Sequence, residues 1–151
     1  MIDQKVVLSP KRADELRHAI ELFYFGYRAF TAGPDRILAQ KGLNRVHHRI
    51  LYFVGRNPDI YVNGLLTILD VSKQALNAPL RQLIEMKLVD DRPSEEDKRA
   101  KKLRLTRAGE VLEGKLTETQ MRWLNQALYD PAAQAKWFSV MQGLVEAGEK
   151  T

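Results

Sequence analysis

Between Asn63 and Arg107 the hydrophobic period changes from helical to alternating, and this succession constrains the fold more than any other feature. Asn63 to Leu69 reads as a short helix that turns at Asp70-Val71. Ser72 offers a side-chain oxygen suited to capping a second helix, predicted from Lys73 to Met86, with Leu76, Leu80, Leu83 and Ile84 inward. Leu88-Val89 through Arg92-Pro93 then reads as a strand, and Ser94-Glu95-Glu96-Asp97-Lys98 as a polar turn. On the return, Leu103 and Leu105 alternate with Lys102 and Arg104, which makes the pair a hairpin. A helix, a tight turn, a helix and a hairpin in this order form a helix-turn-helix with a wing.

Helices flank this unit. Ser9-Pro10 suits a helix start, with Asp14-Glu15 near its positive end. Leu16, Ile20, Phe23, Tyr27 and Phe30 then recur at helical spacing, and Leu22, Tyr24, Phe25 and Ala29 widen the apolar surface. A helix apolar on several sides is buried on several sides, which in so small a chain points to a subunit interface. Gly33-Pro34 is expected to interrupt it, with a short helix from Pro34 to near Gly42. Asn44 caps the next helix, with Val46, Ile50, Phe53 and Val54 inward and Arg45, His48, Arg49 and Arg56 more exposed, as far as Asn57-Pro58. Ile60-Tyr61-Val62 reads as a short strand. Beyond the hairpin, Thr106 caps a long helix with Ala108, Leu112, Leu116, Leu124 and Leu128 inward, and Gly109 there rules out a reciprocal capping box. Asp130-Pro131 opens a last helix that uses Trp137, Met141, Leu144 and Val145. There are no repeats and no evident linker. The expectation is one domain over 1–151, mainly α with a small β-hairpin wing. In it a winged helix-turn-helix lobe (43–106) lies between N- and C-terminal dimerisation helices (1–42 and 107–151).

Charge adds a partner class. The formal net charge is +5, and residues 73–107 carry ten basic against six acidic side chains, while 108–151 carry four against six. The densest run, Lys98 to Arg107, has six basic residues and no acid. Such a block is a solvated face when it stands alone and favours a polyanion when the fold presents it on one side. The absence of cysteine excludes disulfides, thiolate metal sites and thiol redox switches. No apolar run approaches the roughly 20 residues of a membrane span. Met1 to Lys5 lack a signal-peptide layout, so a cytoplasmic location is expected.

The chemistry falls on the second helix and the hairpin. Lys73, Asn77 and Arg81 lie at i, i+4 and i+8, opposite Leu76, Leu80 and Leu83, and Gln74 lies beside them. These side chains suit a major groove: Arg for guanine, Asn or Gln for adenine, Lys for phosphate or guanine. Polar residues also face outward on any amphipathic helix, and Ser72 reads either as a contact or as a cap alone. At the hairpin tip Asp97 precedes Arg99 by two residues. Its carboxylate can hold the guanidinium for a narrow minor groove, or the two can form a surface ion pair worth at most about 1 kcal/mol. Lys98 and Lys101 are placed to meet phosphates. Pro79 inside the predicted recognition helix implies either a kink or a late start to its regular part.

Gly42-Leu43, Leu65, Val71-Ser72-Lys73-Gln74-Ala75-Leu76, Leu83-Ile84-Glu85, Leu88-Val89, Asp97-Lys98-Arg99 and Leu105-Thr106-Arg107-Ala108-Gly109, in this order and spacing, resemble the multiple antibiotic resistance regulator (MarR) family. The resemblance covers nearly the whole chain, and its most specific part is the Asp-Lys-Arg tip followed by Leu-Thr-Arg-Ala-Gly. It implies an obligate dimer with a wing and a recognition helix in each subunit, often released from DNA by a small anionic or aromatic molecule.

The expected function is therefore a sequence-specific, dimeric transcriptional regulator on a pseudo-palindromic operator, acting mainly as a repressor. The DNA-contacting set is Ser72, Lys73, Gln74, Asn77, Arg81, Asp97, Lys98, Arg99 and Lys101. Tyr24, Tyr27 and Phe30, with His48 and Arg49, are candidates for an effector pocket beside the lobe, core packing being the other role open to the aromatics. An effector-independent or architectural DNA-binding protein is the alternative. Adjacent histidines diverge by about 100° on a helix, which disfavours a metal site at His47-His48. No cofactor is implied, and no nucleophile stands with a histidine and a carboxylate in an enzyme-like arrangement.

Overall fold

The computed structural model describes residues 6–150, and the first five residues, read above for a signal peptide, lie outside the described residues. The elements run α1 (Pro10–Ala39), α2 (Arg45–Arg56), β1 (Ile60–Tyr61), α3 (Val62–Leu69), α4 (Lys73–Glu85), β2 (Val89–Pro93), β3 (Lys101–Leu105), α5 (Arg107–Leu128) and α6 (Pro131–Glu149). The expected caps hold. Ser9, Asn44, Ser72, Thr106 and Asp130 each accept a backbone N–H with their side chains, satisfying donors that a helix cannot pair internally. Asp70 closes α3 in the left-handed region (φ 51°), which aspartate tolerates, and so makes the tight turn into α4.

One core joins the middle of the chain. Leu38 of α1, Ile50, Leu51 and Val54 of α2, Leu65 of α3, Leu76 and Leu83 of α4, Leu103 of β3 and Leu112 and Leu116 of α5 are buried together. Each fully buried leucine contributes about 2 kcal/mol. The sheet has the order β1-β3-β2, all antiparallel, so the hairpin gains a third strand through Ile60↔Leu103 and Tyr61↔Lys102. Gly109 is buried where α5 leaves the wing, and a Cβ there would overlap the Leu88 carbonyl oxygen. Thr106 Oγ1 donates to the Lys87 carbonyl at 2.7 Å, which fixes the same junction.

Three expectations need correction. Pro34 does not break α1, which runs on for 30 residues with the proline inside. Proline removes the N–H that would meet the Phe30 carbonyl. Gln120 of α5 donates to that carbonyl instead, at 3.4 Å, while Gly33 lets Thr119 come close. The buried stripe of α2 is His47, Ile50, Leu51 and Val54, so Val46 is exposed and His48, expected outside, is buried. His47 can be buried because both ring nitrogens are paired: Nδ1 accepts from the Asn44 N–H at 3.0 Å, and Nε2 lies 2.9 Å from Gln82 Oε1 on α4. On α5, Ala108 is exposed and its neighbour Gly109 takes the inward place.

The ends of the molecule differ from this core. No described residue of α6 is buried, and Trp137, Phe138, Leu144 and Val145 lie open. Ile20, Leu22, Phe23, Tyr24 and Phe25 on α1 are exposed as well. Within one chain, the apolar surface of these helices is uncovered. No helix among the described residues is long and apolar enough to cross a membrane.

Candidate nucleic-acid interface

A cleft of about 430 Å³ opens between α4 and the hairpin. Lys73, Asn77 and Arg81 line one side, Arg99 and Lys101 the other, and Tyr61, Asn63 and Asp91 share it. The helix face and the wing tip thus converge on one surface. α4 begins at Lys73 as a single helix with Pro79 inside, so a late start does not occur. Its packed side, Leu76, Leu80 and Leu83, keeps the helix on the core despite the missing hydrogen bond, which costs about 3 kcal/mol in a helix interior. Gln74 and Lys98 are exposed but do not line the cleft. Ser72 Oγ accepts the Ala75 N–H at 3.1 Å, the capping role.

Pairing separates the cations into two groups. Arg45, Arg92, Arg104 and Arg107 each meet a carboxylate. Arg104 grips Asp59 with two hydrogen bonds, 3.1 and 2.5 Å, and holds that carboxyl below its usual range while its own pKa rises. Lys73, Arg81, Arg99 and Lys101, by contrast, form no ion pair among the described residues. Four cations left free around one cleft are available to phosphates and base edges.

The wing tip differs from the sequence reading. Asp97 Oδ1 accepts the backbone N–H of Arg99 at 3.0 Å. The carboxylate shapes the turn and does not hold the guanidinium. The Ser94 N–H donates to the Ala100 carbonyl at 2.9 Å and the Ala100 N–H to the Asp97 carbonyl at 3.1 Å, closing the tip.

A second cavity, about 370 Å³, lies among α1, α2 and α5. Tyr27, Phe30, His48 and Arg49 line it as expected, together with Arg45, Asp35 and Gln120. Tyr24 does not; it stacks edge-on against Phe25, with ring centroids 5.4 Å apart, and the Arg28 guanidinium sits over both rings. Arg49 donates to the Tyr27 hydroxyl at 2.8 Å. Arg45 pairs with Asp35 at 2.9 Å and lies over the Tyr27 ring. Burial pushes the His48 pKa down, and the Arg49 charge adds to this against the opposing pull of Asp35. Sequence alone does not group Asp35 with these residues because the expected break at Gly33-Pro34 separates it from Phe30, nor Gln120 because it comes from α5, nor Tyr61 because its strand position does not reveal the cleft.

The MarR-family model matches residues 41–100. The chain is also 43% identical over 136 residues to the HTH-type transcriptional regulator PetP of Rhodobacter capsulatus, covering 88% of this chain and 81% of that protein. The chain belongs to the MarR family. Solved MarR folds superpose along its length. A MarR/EmrR family regulator from Acinetobacter sp. ADP1 has a TM-score of 0.70 at 22% identity, covering 89% of this chain and 97% of that one. A mutant of S. aureus MepR bound to an oligodeoxyribonucleotide has a TM-score of 0.58 at 18% identity, covering 85% and 96%. As a MarR protein, this chain is a DNA-binding transcriptional regulator and not an enzyme. The family match ends at Ala100, so the wing's return strand and the outer helices of this MarR regulator rest on the longer likeness to PetP.

Proposed function

We propose that the protein acts in the cytoplasm as a homodimer on a pseudo-palindromic operator, mainly as a repressor, and that a small aromatic or anionic molecule releases it. The observation that carries this reading is the cleft in which unpaired Lys73, Arg81, Arg99 and Lys101 meet across the recognition helix and the wing. Asn77, Arg81 and Gln74 read base edges in the major groove, and Arg99 enters the adjacent minor groove on a tip shaped by Asp97. Lys73, Lys98, Lys101 and the N-terminus of α4 behind Ser72 hold phosphates. That a MepR mutant of this fold is bound to an oligodeoxyribonucleotide supports DNA as the partner.

The exposed apolar faces of α1 and α6 support a second copy as their cover, which assigns 1–42 and 107–151 to dimerisation. Two copies present two recognition helices, and a two-fold protein matches an inverted repeat. The second cavity supports ligand control. Arg45 and Arg49 offer guanidinium donors to a carboxylate, and Tyr27 and Phe30 give an aromatic wall.

Selection of a duplex from a random pool, followed by binding at several salt concentrations, tests the DNA half. An inverted repeat and a steep salt dependence are expected, and equal affinity for unrelated duplexes overturns sequence-specific regulation. Calorimetric titration of benzoate and salicylate, with and without that duplex, tests the other half. Coupling of roughly 5–150-fold in both directions is expected. Ligand binding that DNA leaves unchanged, or no binding at all, overturns release by an effector of this class.

A further inference from the structure

β1 is two residues long and pairs with β3 only through Ile60↔Leu103 and Tyr61↔Lys102. Beyond the row of Tyr61, Lys102 and Arg92, the wing is a two-stranded ribbon, and its next pair is Pro93↔Lys101. Such a ribbon is marginal in water on its own, and Pro93 has no N–H to add. Yet Arg99 must hold one position to meet a groove.

The last side chain of the third strand reaches past its end. The Tyr61 hydroxyl lies 3.2 Å from Ser94 Oγ, at the base of the tip. Ser94 is 2% exposed; its Oγ also accepts the Glu96 N–H at 3.3 Å, and its own N–H donates to Ala100. Lys102 Nζ lies 5.8 Å from the centre of the Tyr61 ring, a second contact between Tyr61 and the return strand of the wing. Tyr61 immediately precedes α3, so its backbone belongs to the helix-turn-helix body.

We infer that Tyr61 is a positioning residue for the wing: its hydroxyl fastens Ser94 to the helix-turn-helix and so sets where Arg99 meets DNA. This rests on Arg99 being a DNA contact. Removing the hydroxyl leaves packing and charge in place and frees the tip. The loss should therefore appear in the contacts of Arg99 and not in those of α4.

The test measures binding of the wild-type-selected duplex, and of the same duplex with its flanks outside the recognition-helix footprint replaced. Tyr61→Phe should weaken binding to the selected duplex about threefold to tenfold, the range of one hydrogen bond. It should leave the replaced-flank duplex unaffected, and Tyr61→Phe with Arg99→Ala should bind no more weakly than Arg99→Ala alone. Ser94→Ala, which removes the same tether from the other side together with the Glu96 contact, should lose flank preference at least as far, and Tyr61→Phe should add nothing to it. A Tyr61→Phe penalty that persists in the Arg99→Ala background, or wild-type affinity in both tether variants, overturns the inference. If Arg99→Ala itself binds like wild type, the DNA reading of the wing fails first, and this arm identifies that failure separately.

Discussion

Leu65, Leu83, Leu103 and Leu116 have no accessible surface, whereas Phe138 and Leu144 on α6 leave more than half of theirs in water. Both sets belong to the same chain. In the central body, the end of α1, the helix-turn-helix, the wing and the first half of α5 cover one another. The first two-thirds of α1 and the whole of α6 bury no described residue, although Tyr27 meets Arg49 and α6 lies against α5. The body is thus held by contacts within one chain, and in the homodimer proposed above a second copy covers the outer helices. The difference separates two kinds of stability: the first ignores protein concentration, and the second follows it.

The largest effect expected tests the self-sufficiency of the body. Gly109→Ala drives a methyl group into the Leu88 carbonyl at the junction of wing and α5. It should lower the unfolding free energy by about 3 kcal/mol or more, and equally at every protein concentration. Denaturant titrations at two concentrations check this, and a loss that disappears in concentrated protein breaks the distinction between the regions.

The outer helices should show the opposite behaviour. Phe23→Asp with Leu144→Asp should yield a monomer in sedimentation while the body still unfolds cooperatively. Affinity for the selected duplex should fall about 100-fold or more, since both half-sites no longer bind together. A dimer that survives both changes moves the interface elsewhere.

Within the body, the unpaired cations should divide by role. Arg81→Ala should weaken the selected duplex by about 1–3 kcal/mol and relax its sequence preference at one position. Lys101→Ala should weaken all duplexes alike and reduce the salt slope by about 1 per subunit contact. Anisotropy titrations on selected and scrambled duplexes tell the two apart, and a uniform loss for Arg81→Ala removes it from base readout.

The smallest effect is a pH dependence at the seam between the regions. His48 is buried and its folded pKa is depressed, so above its ordinary value of about 6.5 it is neutral in both states and its contribution is complete. Below that value the unfolded chain takes a proton that the folded one resists, and stability is lost as pH falls through the folded value. His48→Gln should flatten this part of the profile, and identical pH profiles for both proteins exclude His48 as the cause.

Much of this was legible because it is local. Caps, apolar stripes and the alternation of the hairpin depend on residues within one or two turns, and α4 and the wing followed from them. What escaped depends on distant partners. Pro34 stays helical because Gln120, far along the chain, takes the Phe30 carbonyl. His47 is buried because Gln82 answers it. The shift from Ala108 to Gly109 is a question of helix phase, decided by how closely the Leu88 backbone passes. The role of Asp97 was misplaced because sequence gives the spacing to Arg99 but not whether backbone or side chain is held. Tyr24 was grouped with Tyr27 by proximity, although it lies on a part of α1 that turns away from the cavity.

The Asn44–His47–Gln82 chain of hydrogen bonds deprives α2 and α4 of independent freedom. If α2 rolls about its axis, one of two things follows. The His47–Gln82 bond breaks and strands a buried polar group, at roughly 1–3 kcal/mol, or α4 rolls with it. The proposed effector, seated against Arg45, His48 and Arg49, would touch the turn of α2 that carries His47. Under the proposed ligand control, the expected consequence is a change in the heading of α4 rather than its detachment from the body, so loss of sequence preference should accompany loss of affinity.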